Sequence, residues 1–337
     1  MPELTVAAGL ARGLIEVAVS KGASHTALLA RAGIDPEDLQ DQDNRIPFRN
    51  YVALMRAGKQ LCNDPALGLH FGELNDLAEV SVVGLIGHAS ETMLEAMQQM
   101  NRYGRLVIEF NGGPDRFRVA QAKGGVWLVD NRENANEFPE LTESTFARIV
   151  CGARRFGYKP MVKQMQVTHP EPPYRAEYER IFQVPLTFGA EWNAMQVNEA
   201  ALSYRLQLQP RYVFGILSEH ADALLKELEN SKSVRGRVES LLMPILHTGD
   251  VSMDAIAGKL GLSRQTLFRK LKAEGTSFEK VLDGLRHRLA VDYLGGKKVS
   301  VNETAYLVGF SDPAAFSRAF KRWTGASPRA MRSGQTQ

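Results

Sequence analysis

Arginine, lysine and glutamine side chains recur on one face of two short stretches near the end of this 337-residue chain. In the first, Gln265, Arg269 and Lys272 project together, with Thr266 flanking them and Arg264 at the start. In the second, Ala314, Arg318, Lys321 and Arg322 share a side. Arginine and lysine can donate to guanine edges or hold phosphates, and glutamine can pair with adenine. Ala314 can offer only apolar contact, for instance to a thymine methyl. The opposite side of each stretch is apolar: Leu267 and Leu271 in the first, Phe316, Phe320 and Trp323 in the second. Side chains of this kind on one face suit binding to a base-paired polyanion.

The residues ahead of each basic stretch explain how it would be positioned. Both copies run as a helix-length segment, a glycine, an apolar residue, a serine and then the basic helix, over about 252–273 and 301–323. Ala257 and Ala305 stand four residues before Gly261 and Gly309, where a small side chain lets two helices cross closely. Glycine ends a helix in a left-handed conformation at no steric cost. Ser263 can cap the first basic helix; Ser311 or Asp312 can cap the second, and Pro313 suits its first turn. This order is that of a helix-turn-helix, whose second helix enters the major groove. One such pattern is as readily an ordinary pair of surface helices. Two copies with glycines 48 residues apart and basic residues on matched faces favour DNA. The role of Phe268 stays open.

This segment resembles the DNA-binding domain of the AraC/XylS family of bacterial transcription regulators. The likeness is carried by Ser263, Thr266-Leu267, Arg269-Lys270-Leu271, Gly275-Thr276-Ser277-Phe278, Arg286, Ala290, Leu294, Ala305-Tyr306 and Gly309-Phe310-Ser311. The run from Phe316 to Pro328 and Arg332 complete it. The resemblance implies an all-α C-terminal domain in which a helix from about Phe278 to Leu294 holds two helix-turn-helix motifs apart. Both then reach neighbouring groove segments of double-stranded promoter DNA, which repeats about every 10 base pairs. It also implies RNA polymerase as a partner. Thr304 departs from the family pattern, which has an apolar residue there and so predicts looser packing. Gly284, inside the linking helix, costs roughly 1 kcal/mol against alanine.

Length and charge agree with a two-part chain. From Ser231 to Gln337 there are 18 Lys and Arg against 9 Asp and Glu, a net +9, whereas the preceding 230 residues carry −6. A basic tail on an acidic body suits a polyanionic partner for the tail alone. The expected domains are 1–230 and 231–337, joined by a polar linker at Asn230-Ser231-Lys232-Ser233. No apolar run reaches the roughly 18 residues of a membrane span, and no secretory signal opens the chain. Cys62 and Cys151 read as reduced thiols of a cytoplasmic protein without membrane contact.

The body reads as a mixed α+β domain. Helical spacing dominates to about Tyr103, with Ser90 expected to cap a helix from Glu91. Leu106 to Phe110, Asp115 to Gln121 and Val126 to Asn131 read as strands, separated by Asn111-Gly112-Gly113-Pro114 and Lys123-Gly124-Gly125 turns. Pro139 starts a helix to about Phe156; Gln164 to Thr168 and Met195 to Asn198 read as further strands. The body resembles the arabinose-binding-like N-terminal domain often joined to such regulators, over roughly 20–205. Asp64-Pro65-Ala66-Leu67-Gly68-Leu69, Thr168-His169-Pro170 with Pro173-Tyr174, and Phe188-Gly189-Ala190 carry the likeness. It implies a sensor of an unspecified small-molecule effector, or a module that forms a homodimer, or both.

The sequence carries none of the common enzymatic motifs. The seven histidines are scattered, no phosphate loop or Gly-x-Ser-x-Gly elbow is present, and no catalytic residue, metal or cofactor is assigned. His169 reads as structural rather than as a ligand contact. Trp127, Trp192, Tyr103 and Phe110 can line a ligand pocket or fill a core, and Met93, Met97 and Met100 read as core. The sequence therefore predicts an effector-responsive transcription regulator. The rivals are a DNA-modifying enzyme, which needs a reactive thiol in the body, and an architectural protein whose body only dimerises.

Overall fold

Apolar side chains gather into separate cores along the chain. One buried cluster draws on residues from Ala66 to Ala201, another on residues from Val238 to Phe320. The computed structural model describes residues 3–113, 115–122, 124–157, 161–206, 210–249, 251–295 and 299–333. It divides into two units, Met1–Leu225 and Lys226–Gln337. Two expected turn residues, Pro114 and Lys123, lie outside the described residues. Among the described residues no helix is long and apolar enough to cross a membrane.

The first unit is α+β. It opens with β1 (Thr5–Ala7), α1 (Ala8–Ser20), α2 (His25–Ala32), β2 (Arg45–Pro47), α3 (Phe48–Leu61), α4 (Leu67–Leu74), α5 (Val82–Ala89) and α6 (Met93–Val107). Then follow β3 (Phe117–Ala122), β4 (Gly125–Asp130), α7 (Glu140–Arg155), β5 (Val162–Gln166), α8 (Arg175–Phe182), β6 (Leu186–Thr187), β7 (Asn193–Val197) and α9 (Glu199–Leu202). β1 pairs with β2; the other strands form one sheet in the order β3-β4-β7-β5-β6, antiparallel except for the β5/β6 pair. α10 (Arg211–Lys232) follows.

Three expectations are corrected. The strand expected over Leu106–Phe110 is helix to Val107, with only Ile108 making an isolated bridge to Val6. The apolar stripe of α6 continues through Tyr103 and Leu106 at helical spacing, and this outweighs the β-branched character of Val107-Ile108. Thr92, not Ser90, caps that helix by accepting from the Glu95 N–H at 3.1 Å, while the Ser90 hydroxyl donates back to the Ile86 carbonyl at 2.8 Å. The polar linker is also absent: Asn230-Ser231-Lys232 ends α10, and Ser233 caps α11 by accepting from the Gly236 N–H at 2.8 Å.

The second unit is all helical: α11 (Val234–Leu242), a 3₁₀ turn at Met243–Thr248, α12 (Met253–Lys259), α13 (Arg264–Ala273), α14 (Phe278–Gly295), α15 (Val301–Leu307), α16 (Pro313–Thr324) and α17 (Pro328–Ser333). Val281, Leu285 and Leu294 of α14 are buried with Leu267, Leu271, Phe316 and Phe320, so α14 contributes to the same core as both recognition helices. Gly284 has open space around it, apart from the end of Arg288 at 4.0 Å, so no close approach offsets its cost to α14. Thr304 is fully buried but satisfied: its hydroxyl donates to the Ser300 carbonyl at 2.9 Å, which removes the packing defect expected there.

Buried polar groups fix α7 in the first unit. Asp130, whose side chain is wholly buried, accepts from Arg116 at 3.1 Å, Arg132 at 3.3 Å and Thr142 at 2.9 Å. Burial alone would raise this carboxyl, but the two guanidinium groups overrule it and hold it below the usual carboxylate range. Glu143 is the opposite case. It accepts from Tyr174 at 2.9 Å and Tyr178 at 2.8 Å, with His169 Nε2 4.0 Å away and no guanidinium against it among the described residues, and burial pushes its carboxyl from 4.5 up to about 7. Between those values the folded chain binds more protons than the unfolded chain, so this group's contribution to stability falls as pH rises through about 7. Glu143→Gln keeps an acceptor for both tyrosines and cannot ionise. Thermal melts at pH 5 and pH 8 are expected to show the variant gaining on the wild type at the higher pH, by on the order of 3 kcal/mol at most. An equal difference at both values would show that Glu143 does not titrate in this range.

Candidate nucleic-acid interface

α12 and α15 each have to stop at a defined residue so that α13 and α16 can start at the right angle. Both do so by the same backbone pattern. In the first, the Leu262 N–H donates to the Ala257 carbonyl at 2.9 Å and the Gly261 N–H to the Gly258 carbonyl at 3.0 Å. In the second, the Phe310 N–H donates to Ala305 and the Gly309 N–H to Tyr306, both at 2.9 Å. These paired bonds satisfy carbonyls that a helix end leaves open, and they require a left-handed residue between them. Gly261 (φ 67°) and Gly309 (φ 80°) supply it.

The recognition helices are then capped. Ser263 accepts from the Thr266 N–H at 3.2 Å, and Asp312 accepts from the Ala314 and Ala315 N–H groups, both at 3.0 Å, with Pro313 in the first turn. Those two backbone donors hold the Asp312 carboxyl below its ordinary range. Asp312, not Ser311, is therefore the cap. The glycines are 48 residues apart but the caps are 49 apart, because the second turn holds one extra residue. Counted from the caps, Arg269 matches Arg318 and Lys272 matches Lys321. Leu267 and Leu271 likewise match Phe316 and Phe320, all four fully buried.

Gln265, Arg269, Lys272, Ala314, Arg318, Lys321 and Arg322 are exposed, as is Arg264, and Thr266 is half-buried. The Thr266 hydroxyl lies 2.9 Å from that of Ser263, so it is engaged at the cap. Three arginines have acidic neighbours: Arg264 pairs with Asp254 at 2.5 Å, Arg322 with Asp283 at 3.0 Å, and Arg318 lies 4.0 Å from Asp312. Phe268 is 52 % exposed and falls with Gln265, Arg269 and Lys272 at helical spacing on the same face. Its place on that face is legible from the spacing alone.

Arg286 of α14 braces the second turn. Its Nε donates to the Val308 carbonyl and its Nη2 to the Gly309 carbonyl, both at 3.1 Å, and its guanidinium lies 4.7 Å from the centre of the Phe310 ring. Partial burial lowers its pKa from the ordinary arginine value. Trp323 and His287 complete an aromatic layer with Phe310, Phe316 and Phe320.

The first unit contains a cavity of about 240 Å³. Met93, Met97 and Met100 line it, together with Arg148 and Tyr51. None of the four aromatic residues named from the sequence does. Trp127 stacks on Trp192, ring centres 6.0 Å apart, in a small cluster with Val129 and Ala194. His169 is structural, 2.8 Å from the Tyr178 hydroxyl and 2.8 Å from the Pro170 carbonyl. Cys62 and Cys151 are free, and burial pushes both thiols up, away from the nucleophilic thiolate.

Comparison with known proteins agrees with this geometry. The arabinose-binding domain of AraC transcription regulators matches residues 22–206, and a helix-turn-helix domain matches residues 256–334. The chain is 26% identical over 333 residues to the ornithine utilization regulator of Pseudomonas aeruginosa, covering 96% of this chain and 94% of that one. It is 39% identical over 116 residues to the transcriptional activator RhaS of Escherichia coli, covering 34% of this chain and 41% of that one. The crystal structure of the regulator CdpR from Pseudomonas aeruginosa aligns over 91% of this chain and 96% of its own, at 22% identity and a TM-score of 0.37.

The two turns differ in what surrounds their glycines. A Cβ on Gly261 would meet no atom within 4 Å, whereas one on Gly309 would stand 2.2 Å from the Leu246 carbonyl oxygen. Gly261→Ala is expected to cost roughly 1–2 kcal/mol, the left-handed penalty alone. Gly309→Ala adds an overpacking cost of about 1–3 kcal/mol. Urea unfolding of the two variants checks the order, and equal losses would mean that the Leu246 contact yields freely.

Proposed function

Because the chain belongs to the AraC transcription regulators that carry an arabinose-binding-type N-terminal domain, we propose that it is a one-component switch. The second unit binds promoter DNA and the first responds to a small-molecule effector. Two capped recognition helices with arginine and lysine at matching, exposed positions are the observation that carries this reading.

Arg269 and Arg318 are the base-reading residues, and Gln265 and Thr266 assist the first of them. Ala314 meets a base edge by apolar contact. Lys272, Lys321, Arg322 and Arg264 hold phosphates. The cavity in the first unit supports an effector and disfavours a body that only dimerises. Ligand occupancy must favour one arrangement of the protein over another to alter DNA binding. We assign function to residues 1–230 as sensor and dimerisation module and 231–337 as DNA-binding domain. The working species is a homodimer in the cytoplasm that contacts RNA polymerase at the promoter.

Footprinting on genomic DNA identifies the operator, and gel shifts on it test the assignments. Arg269→Ala and Arg318→Ala are each expected to cost about 1–3 kcal/mol and to relax preference at one base pair. Lys272→Ala weakens all sequences alike and lowers the salt slope by about 1. A uniform loss for Arg269→Ala would make that residue a phosphate anchor instead.

A further inference from the structure

Arg148 lies on α7 and lines the cavity of the first unit, yet its Nε and Nη2 are shut off from solvent with no hydrogen-bond partner among the described residues. Tyr51 also lines the cavity, and its hydroxyl is equally buried and unpartnered among the described residues. Their neighbours are differently placed. Arg116, on the same wall, donates to Asp130, to the Leu141 carbonyl and to Thr145. Arg155 donates to the Glu73 carbonyl and lies 3.9 Å from Asp76. Three guanidinium groups thus line the cavity against a single carboxylate, Asp76. The face of Phe71, 5.1 Å from the Arg148 guanidinium, offsets only part of its lost hydration.

The rest of the wall is apolar. Met93, Met97 and Met100 form a stripe at helical spacing on α6, and methionine adapts to the shape of what it touches. Gly104 and Gly152 also line the cavity, and a Cβ added at either would meet no atom within 4 Å, so these positions widen the space without closing against a neighbour. A dry cavity of about 150 Å³ takes a benzene ring; one of about 240 Å³ takes a larger body.

We infer that this cavity binds a carboxylic acid with an apolar body, its carboxylate held by the Arg148 guanidinium and the Tyr51 hydroxyl and its body lying along the methionine stripe. A carboxylate accepts two parallel hydrogen bonds from a guanidinium and a third from a phenol, which are the bonds these groups lack. An alcohol can accept from them but brings no charge, and an ammonium adds a second cation beside Arg148. The inference rests on the reading of the first unit as the effector-sensing part and names the class of effector.

Titration calorimetry of the full chain with octanoate, 4-phenylbutyrate, 1-octanol and octylamine tests it. At least one acid is expected to bind saturably, at least tenfold more tightly than octanol, with octylamine weaker still. Arg148→Gln abolishes the preference for the acid over the alcohol. It leaves the thermal midpoint of the ligand-free protein no lower than wild type, because no hydrogen bond is lost. Tyr51→Phe weakens the acid several-fold, and Gly104→Leu, growing into the open space, blocks it. Failure of both acids to bind, equal affinity for acid and alcohol, or unchanged acid affinity in Arg148→Gln would overturn the site. Gel shifts on the operator with the same acids separate the two ideas. Arg148-dependent binding without any effect on DNA retains the site and removes the sensor. An effect on DNA from a different metabolite, with no acid bound, retains the sensor and removes the site.

Discussion

A helix can hold an arginine against a base edge only if the helix before it ends at a fixed residue and leaves no buried carbonyl unpaired. This constraint governs the second unit. At Gly261 it is met locally, by two backbone bonds and the Ser263 cap. At Gly309 it is met by the same bonds together with distant partners. Arg286 reaches from α14 to the Val308 and Gly309 carbonyls, and Leu246 closes on the glycine from the 3₁₀ turn. The first turn is thus fixed by bonds within residues 257–266. The second is specified only when the linking helix and the 3₁₀ turn are in place, and so it depends on the whole domain having folded. The extra residue in its turn shifts glycine and cap relative to one another, and the register of the recognition helices survives because it is set from the caps.

The first unit shows the same rule from the other side. Asp130 gathers three polar side chains, and every partner it needs is supplied by Arg116, Arg132 and Thr142. Such a satisfied network rigidifies the end of β4 against α7. Nearly two turns beyond Thr142 on α7, Arg148 Nε and Nη2 have no such partner among the described residues. Two arginines facing the same helix region, one answered by the protein and one not, divide the labour between holding the fold and leaving a place for something else.

Both helix-turn-helix motifs were legible in the sequence because their signals are local: a glycine, a capping side chain and a face of basic residues at helical spacing. The mixed body was legible in its strands and in α7, where turn signals and Pro139 mark the boundaries. What failed needed knowledge of the opposing surface. Met93, Met97 and Met100, read as core, do pack against the core of the first unit, but nothing in their spacing says that the same residues also border a cavity. Trp127 and Trp192 could be read either way, and they fill a small core, because Trp127 on β4 stacks on Trp192 just ahead of β7, a contact that no local spacing announces. Arg148 left one trace, an arginine inside Phe146-Ala147-Arg148-Ile149-Val150, where a buried helix has no ordinary use for a charge. The expected linker failed because Asn, Ser and Lys are compatible with a helix end as well as with a loop.

The acidic residues beside the recognition helices alter what contact with a nucleic acid means for individual arginines. Arg264 and Arg322 already rest against Asp254 and Asp283, so meeting a phosphate exchanges one anion for another and does not quench a bare cation. Rising ionic strength loosens both the partner left behind and the partner gained, and the two effects partly cancel. Arg269, Lys272 and Lys321, without a close carboxylate among the described residues, have no such compensation. On the proposed interface, phosphate contacts by the first pair would be buffered against salt and those by the other three would fade with it.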